Sequence, residues 1–266
     1  MPTSPSADPP RPRAWPRLRR RLRNRLAEAD RLYLPLARLA RPEHAVGPRT
    51  QLVVEGFPRS ANSWIEGCVR EAWPQLQVAQ HLHAAASLRA AARRGLPAIL
   101  LLRAPDAAVA SLLLREPEIY DAGLGFEEYV RFHAGLTGVA GRLLVAPFEA
   151  ATGPFPGVAA ALIARFGLDW PLPAWDEARE ARAWAHVDRL TQARVGRAHV
   201  SYSPARDEAA RARRREQAAE AAAALARAAR APEVAALRAQ ALDLHDILRA
   251  GAPAALRAPA RERVPA

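Results

Sequence analysis

The side chains best suited to chemistry stand where apolar runs give way to small polar turns. Residues 52–64 read Leu-Val-Val-Glu-Gly-Phe-Pro-Arg-Ser-Ala-Asn-Ser-Trp, an apolar strand, a turn and then a helix start. Such a junction presents backbone N–H groups to an anion. A second segment of the same build lies at residues 100–111, where Arg103 closes the apolar run and Ser111 stands two turns into the following helix. An Arg and a Ser so placed can grip one phosphate together. Between the two segments, Gln80-His81-Leu82-His83 ends a further short apolar run and supplies two imidazoles, the side chain whose ordinary pKa lies nearest neutrality. Two anion sites on neighbouring strand-to-helix junctions suit a ligand with phosphates at both ends of a nucleoside.

These residues resemble the sulfotransferases that use 3′-phosphoadenosine 5′-phosphosulfate, PAPS. The family's 5′-phosphosulfate loop reads approximately Pro-Lys-Ser-Gly-Thr-Thr-Trp. Pro58-Arg59-Ser60-Ala61-Asn62-Ser63-Trp64 is similar to it, with Arg for Lys, Ala for Gly and Asn-Ser for Thr-Thr. The family's 3′-phosphate motif is matched by Arg103, Pro105, Asp106 and Ser111. The resemblance runs over residues 51–167 and fades on either side.

The resemblance implies a role for each of these positions. The backbone N–H groups of Ser60, Ala61, Asn62, Ser63 and Trp64 would hold the phosphosulfate, with the Ser60 and Ser63 hydroxyls as further donors and Asn62 capping the helix. Arg59 stands at the family's Lys position and would stabilise charge on the bridging oxygen; it keeps the charge but replaces a compact ammonium with a planar fork. Arg103 and Ser111 would read the 3′-phosphate. Nothing matches the family's Arg-Lys-Gly loop, and Arg194, Arg197 and Arg206 are the cations in the region where it is expected. His83 aligns with the family's general base and His81 with a Lys. Strand alternation is expected to put both imidazoles on one face. Either could serve as the base, with a structural role left to the other. A His pair at this spacing also fits a metal, but no Asp, Glu or Cys nearby completes a site, so none is expected. The implied reaction moves a sulfuryl group from PAPS to a hydroxyl or amine of a small-molecule or glycan acceptor and releases adenosine 3′,5′-bisphosphate.

Composition bounds these readings. The chain has 266 residues, half of them apolar, enough for one α/β domain with tails. Lys and Arg together number 39 against 27 Asp and Glu, a net charge of +12, and every one of the 39 is Arg. With so much Ala, that pattern matches GC-rich coding as well as an acidic partner. The missing lysine disfavours a Walker-type NTP hydrolase, whose loop needs a Lys on the phosphates. Cys68 stands alone, which excludes an intrachain disulfide and a Cys-based zinc cage and assigns it to the core with Ile65, Val69 and Ala72. No run of about 18 apolar residues is present, and the Arg-rich start lacks the apolar centre of a signal peptide. The expected address is the cytoplasm.

The elements that must position the site follow from alternating short apolar runs and helical stretches. Strands are expected at 51–55, 78–82, 98–103 and 142–148, with helices at 62–73, 84–94, 106–114, 126–136 and 155–167. Residues 116–125 read as a polar loop. That alternation predicts an α/β fold with a P-loop-type parallel sheet, helices on both faces and an α-helical C-terminal region over 207–231 and 233–250. Residues 1–50 comprise a disordered Pro- and Ser-rich segment and a basic amphipathic helix over 17–39, kinked at Pro35. That helix either rests on an anionic membrane or a partner, or packs its Leu stripe on the domain. Residues 51–250 form the domain, and 251–266 a flexible tail. Trp170, Trp175 and Trp184 either line an acceptor pocket or pack in the core. Two other classes fit parts of the chain: a nucleotide-dependent kinase-like transferase, which needs a phosphate-binding Lys or Mg²⁺ ligands beyond the isolated Glu55, and a basic scaffold binding membrane or nucleic acid through residues 17–25 and 211–215. Nucleic-acid binding is not expected, because aromatics are not interleaved with the arginines.

Overall fold

The computed structural model describes residues 14–195 and 208–257. Of the disordered segment expected over residues 1–16, residues 1–13 lie outside them, as do the cations Arg197 and Arg206 and residues 258–266 of the expected tail; residues 14–16 are helical. Two helices, α1 (Ala14–Leu26) and α2 (Asp30–Ala40), precede an alternating series: β1 (Leu52–Gly56), α3 (Asn62–Ala72), β2 (Val78–Gln80), α4 (Ala85–Arg94), β3 (Ala98–Leu102), α5 (Pro105–Arg115), α6 (Ala122–Ala134) and β4 (Leu144–Pro147). Helices follow to the end: α7 (Phe148–Ala151), α8 (Phe155–Phe166), α9 (Glu177–Val195), α10 (Glu208–Ala228), α11 (Pro232–Ala250) and α12 (Ala254–Arg257).

The four strands form one parallel sheet in the order β2-β1-β3-β4. Strands β1, β3 and β4 are buried along their whole length, as unbroken Val and Leu runs require when helices cover both faces. Alternation sorts their side chains into two cores. Val53, Leu100, Leu102 and Val145 pack against residues of α2, α4, α5, α6, α10 and α11. Leu52, Val54, Ile99, Leu101, Leu144 and Ala146 pack against α3, α8, α9 and α12, with Cys68 among them. The chain leaves β1 toward β2 on one side and leaves β3 toward β4 on the other. That divergence falls between β1 and β3, the point at whose carboxyl ends open α/β sheets bind ligands. Gly56 lets the two strands close up there, since a Cβ on it would stand 2.6 Å from the Leu101 carbonyl oxygen.

Three expectations are corrected. The basic helix is two helices, broken at residues 27–29, and Pro35 lies inside α2 without ending it. The break is held by Arg89 of α4, whose Nη2 donates to the carbonyls of Ala27 (3.3 Å) and Glu28 (3.2 Å) while its Nε pairs with Asp30. The expected loop at 116–125 ends early, because Asp121 caps α6 by accepting from the Leu124 N–H at 2.9 Å. Strand β2 stops at Gln80, so neither histidine lies in a strand and alternation does not govern their directions. Among the described residues no helix is long and apolar enough to cross a membrane.

Candidate active site

The turn after β1 is built from unusual backbone. Arg59 and Ala61 both lie in the left-handed region, with φ of 73° and 68°. The cost is of order 1–3 kcal/mol for each non-glycine residue, and such strain concentrates at functional turns. The geometry explains why glycine would suit position 61. Asn62 is not the cap the sequence predicts: Ala61 holds the cap position, and the Asn62 amide instead donates to the Phe57 carbonyl at 3.1 Å, tying the turn together. The first N–H groups of α3, those of Asn62, Ser63 and Trp64, have no carbonyl one turn back within the helix. Ser60 is fully buried, and its hydroxyl has no hydrogen-bond partner among the described residues. A buried hydroxyl beside open helix N–H groups fits an anionic oxygen.

The turn after β3 is locked to the first. Arg103 Nη1 donates to the Arg59 carbonyl at 2.7 Å, and Arg59 Nε donates to Ser111 Oγ at 3.1 Å. Arg59, assigned by resemblance to the sulfuryl end, thus reaches the serine assigned to the 3′-phosphate. Arg103 and Ser111 are joined through it. Arg103 is further steadied by the Phe148 ring, 4.2 Å from its Cζ, and by the Tyr129 hydroxyl, which donates to the Arg103 carbonyl at 2.7 Å. Asp106 takes no part in these contacts; Arg238 of α11 donates to both its oxygens, at 2.9 and 2.6 Å.

The two histidines have different surroundings. Both adopt left-handed backbone, φ 61° at His81 and 50° at His83. His81 is buried, and its Nε2 lies 2.5 Å from a carboxylate oxygen of Glu66 on α3. Burial raises the Glu66 pKa, but the His81 hydrogen bond and charge, with Arg70 and His186 nearby, more than offset it and hold the carboxyl at about 2. His83 is half-buried, and its Nδ1 stands 3.0 Å from the Gly56 carbonyl. A carbonyl only accepts, so Nδ1 carries the hydrogen and Nε2 keeps its lone pair. Burial, then the neighbouring His81, push the His83 pKa well below its ordinary value despite that bond. The ring is therefore neutral at physiological pH and able to take a proton at Nε2.

Glu55 decides where His83 sits. It is fully buried at the end of β1, and its two oxygens accept the backbone N–H groups of Leu82 and His83, each at 3.0 Å. Burial raises its pKa to about 8, against the pull of those two bonds. The sequence offers Glu55 only as an isolated Mg²⁺ ligand for a kinase-like site and is silent on Glu66. The visible signal is a Glu inside Val-Val-Glu-Gly, a charge in an otherwise apolar strand that must find a buried partner.

His83 lines a cleft of ≈ 430 Å³, open to solvent, with Phe57 and Pro58 from the β1 turn, Phe132 from α6 and Arg20 and Asn24 from α1. The cations around it are paired: Arg20 with Glu128, Arg89 with Asp30, Arg131 with Glu28. Helix α1 is thus a wall of the cleft, which the sequence did not indicate. The three tryptophans are partly buried and pack against the core. Trp184 stacks on Trp64 at 4.2 Å between ring centroids, Trp170 meets Trp73, and Trp175 meets Phe155, all on the α3–α8–α9 side of the sheet. Among the described residues no group of three or more His, Cys, Asp or Glu could hold a metal.

The chain is an α/β protein with a four-stranded parallel sheet and helices on both faces. No protein-family model, no curated protein and no solved structure matches it.

Proposed function

We propose that this chain is a P-loop-type sulfotransferase that uses PAPS, transferring its sulfuryl group to a hydroxyl or amine acceptor. The observation that carries the reading is the bond pair Arg103–Arg59–Ser111, which joins two strand-to-helix anion sites at the ends of β1 and β3. A ligand anionic at both ends of a nucleoside suits that arrangement. The N–H groups of Asn62, Ser63 and Trp64 and the Ser60 hydroxyl fit the 5′ anion, and Arg103 and Ser111 the 3′-phosphate.

Bound PAPS would supply an activated sulfuryl group. His83 Nε2 accepts the acceptor's proton as its oxygen or nitrogen attacks, and Gly56 holds the ring in the tautomer that makes this feasible. Glu55 fixes the backbone that aims the ring. Arg59 and the α3 N-terminus stabilise negative charge gathering on the leaving oxygen. His81, whose Nε2 is taken by Glu66, ties its segment to α3 and does not serve the acceptor.

Thermal shift tests the reading. Adenosine 3′,5′-bisphosphate should raise the melting temperature, and ATP, ADP and 5′-AMP should raise it far less. Mass action gives about 2.7 kcal/mol of stabilisation at a concentration 100 times Kd. Equal shifts with ATP would overturn it in favour of a kinase-like nucleotide site.

A further inference from the structure

Helix α1 is mounted with its faces reversed relative to an ordinary surface helix. Three of its arginines pair with the domain: Arg17 with Asp121 at 2.6 Å, Arg20 with Glu128 at 3.3 Å and Arg21 with Glu127 at 3.4 Å, all on or beside α6. Its apolar stripe turns outward. Trp15, Leu18 and Leu22 are 72%, 48% and 58% exposed. Helix α2 is apolar on two faces, burying Tyr33, Leu34 and Ala37 on the domain while Leu32, Leu36 and Leu39 are 61%, 50% and 83% exposed. These six make up two thirds of the nine large apolar side chains that the described residues expose. The spacings 15, 18, 22 and 32, 36, 39 put each set on one face of its helix. Neither set is needed to hold its helix in place, since ion pairs anchor α1 and the opposite face anchors α2.

The charges beside the stripes indicate the partner. At 100° per residue, Arg19 and Arg25 fall on either side of the α1 stripe, and Arg31 falls beside the α2 stripe. All three are exposed and make no ion pair among the described residues. Exposed leucines and a tryptophan flanked by unpaired arginines complement an anionic bilayer surface, apolar groups entering the headgroup region and guanidinium groups meeting lipid phosphates. A second copy fits less well, because a symmetric contact brings the same arginines against themselves.

We propose that α1 and α2 seat the chain on an anionic phospholipid membrane surface through Trp15, Leu18, Leu22, Leu32, Leu36 and Leu39, with Arg19, Arg25 and Arg31 on the headgroups. This holds independently of the sulfuryl-transfer reading.

Co-sedimentation of the full chain with vesicles tests it. Vesicles of 7:3 phosphatidylcholine and phosphatidylserine should retain the protein, and pure phosphatidylcholine should bind it at least about tenfold more weakly. The triple variant Leu18→Ser/Leu22→Ser/Leu36→Ser should lose at least about tenfold in binding, with circular dichroism and melting unchanged because the three sites are exposed. Trp15→Ser, at the outer end of α1, provides a second apolar test should the triple variant unfold. Arg19→Gln/Arg25→Gln/Arg31→Gln should lose roughly fivefold per arginine. No retention on anionic vesicles overturns the proposal. So does retention that the serine variants leave intact, which would mark unspecific attraction of a basic protein. A dimer in sedimentation equilibrium that the triple variant dissolves, with vesicle binding unchanged, would reassign the face to a second copy.

Discussion

Glu55→Gln is expected to reverse its effect on stability across neutral pH. Glu55 is fully buried, accepts the N–H groups of Leu82 and His83, and is pushed by burial from 4.5 to about 8. Between those values the carboxyl is protonated in the folded chain and ionised in the unfolded one. The unfolded chain then binds fewer protons, so stability is lost as pH rises through the window. At ~1.36 kcal/mol per pH unit, the rise from 4.5 to about 8 removes roughly 5 kcal/mol from the wild-type protein by its upper end. Gln escapes this loss because it has no charge. It keeps one carbonyl acceptor but turns its NH₂ toward the second backbone N–H, a lost bond that costs about 1–3 kcal/mol at every pH. The variant is therefore less stable than wild type by about 1–2 kcal/mol near pH 5 and more stable by about 2–4 kcal/mol near pH 8, with the curves crossing between. Urea denaturation of both proteins in half-unit pH steps, plotted as a difference, removes the titrations they share. A flat difference would refute the reasoning and mean that the two N–H groups keep Glu55 ionised in the fold.

Other expectations can be checked with the same protein. His83→Gln should lower single-turnover rates by about 10²- to 10⁴-fold while adenosine 3′,5′-bisphosphate binds as before in calorimetry; an active variant would remove the residue from proton transfer. His81→Ala should act on stability, costing about 3 kcal/mol by leaving buried Glu66 with only Arg70 and His186, and unchanged urea midpoints would contradict that. Glu66 is held down from 4.5 to about 2, so its contribution is present above pH 4.5 and lost as pH falls toward 2. Glu66→Gln should accordingly flatten acid unfolding in that window by roughly 3 kcal/mol. Arg103→Ala should weaken adenosine 3′,5′-bisphosphate by roughly 1.5–3 kcal/mol and 5′-AMP far less; parallel losses would make Arg103 a brace for the Arg59 carbonyl alone.

Local sequence determined the elements that carry the site. Val53-Val54 and residues 98–102 are β-branched or leucine-rich runs too apolar to face water, so they become buried strands and the polar residues after them become turns at strand ends. Period-2 alternation sorted Val53 and Leu100 from Val54 and Leu101, and Cys68 went to the core as its neighbours require. What these residues do to one another was decided only by the tertiary structure. The strand order β2-β1-β3-β4 depends on which edges meet, a long-range choice that no local pattern records, and it alone sets the Arg59 turn beside Arg103 and Ser111. The split between His81 and His83 arises from Glu66 and Glu55, partners 15 and 27 or 28 residues away, whose burial makes hydrogen bonds to them compulsory. The outward turn of Leu18 and Leu22 has the same origin. Helical periodicity shows that α1 has an apolar face and a basic face, and only the carboxylates of Asp121, Glu127 and Glu128, more than a hundred residues on, draw the basic face inward.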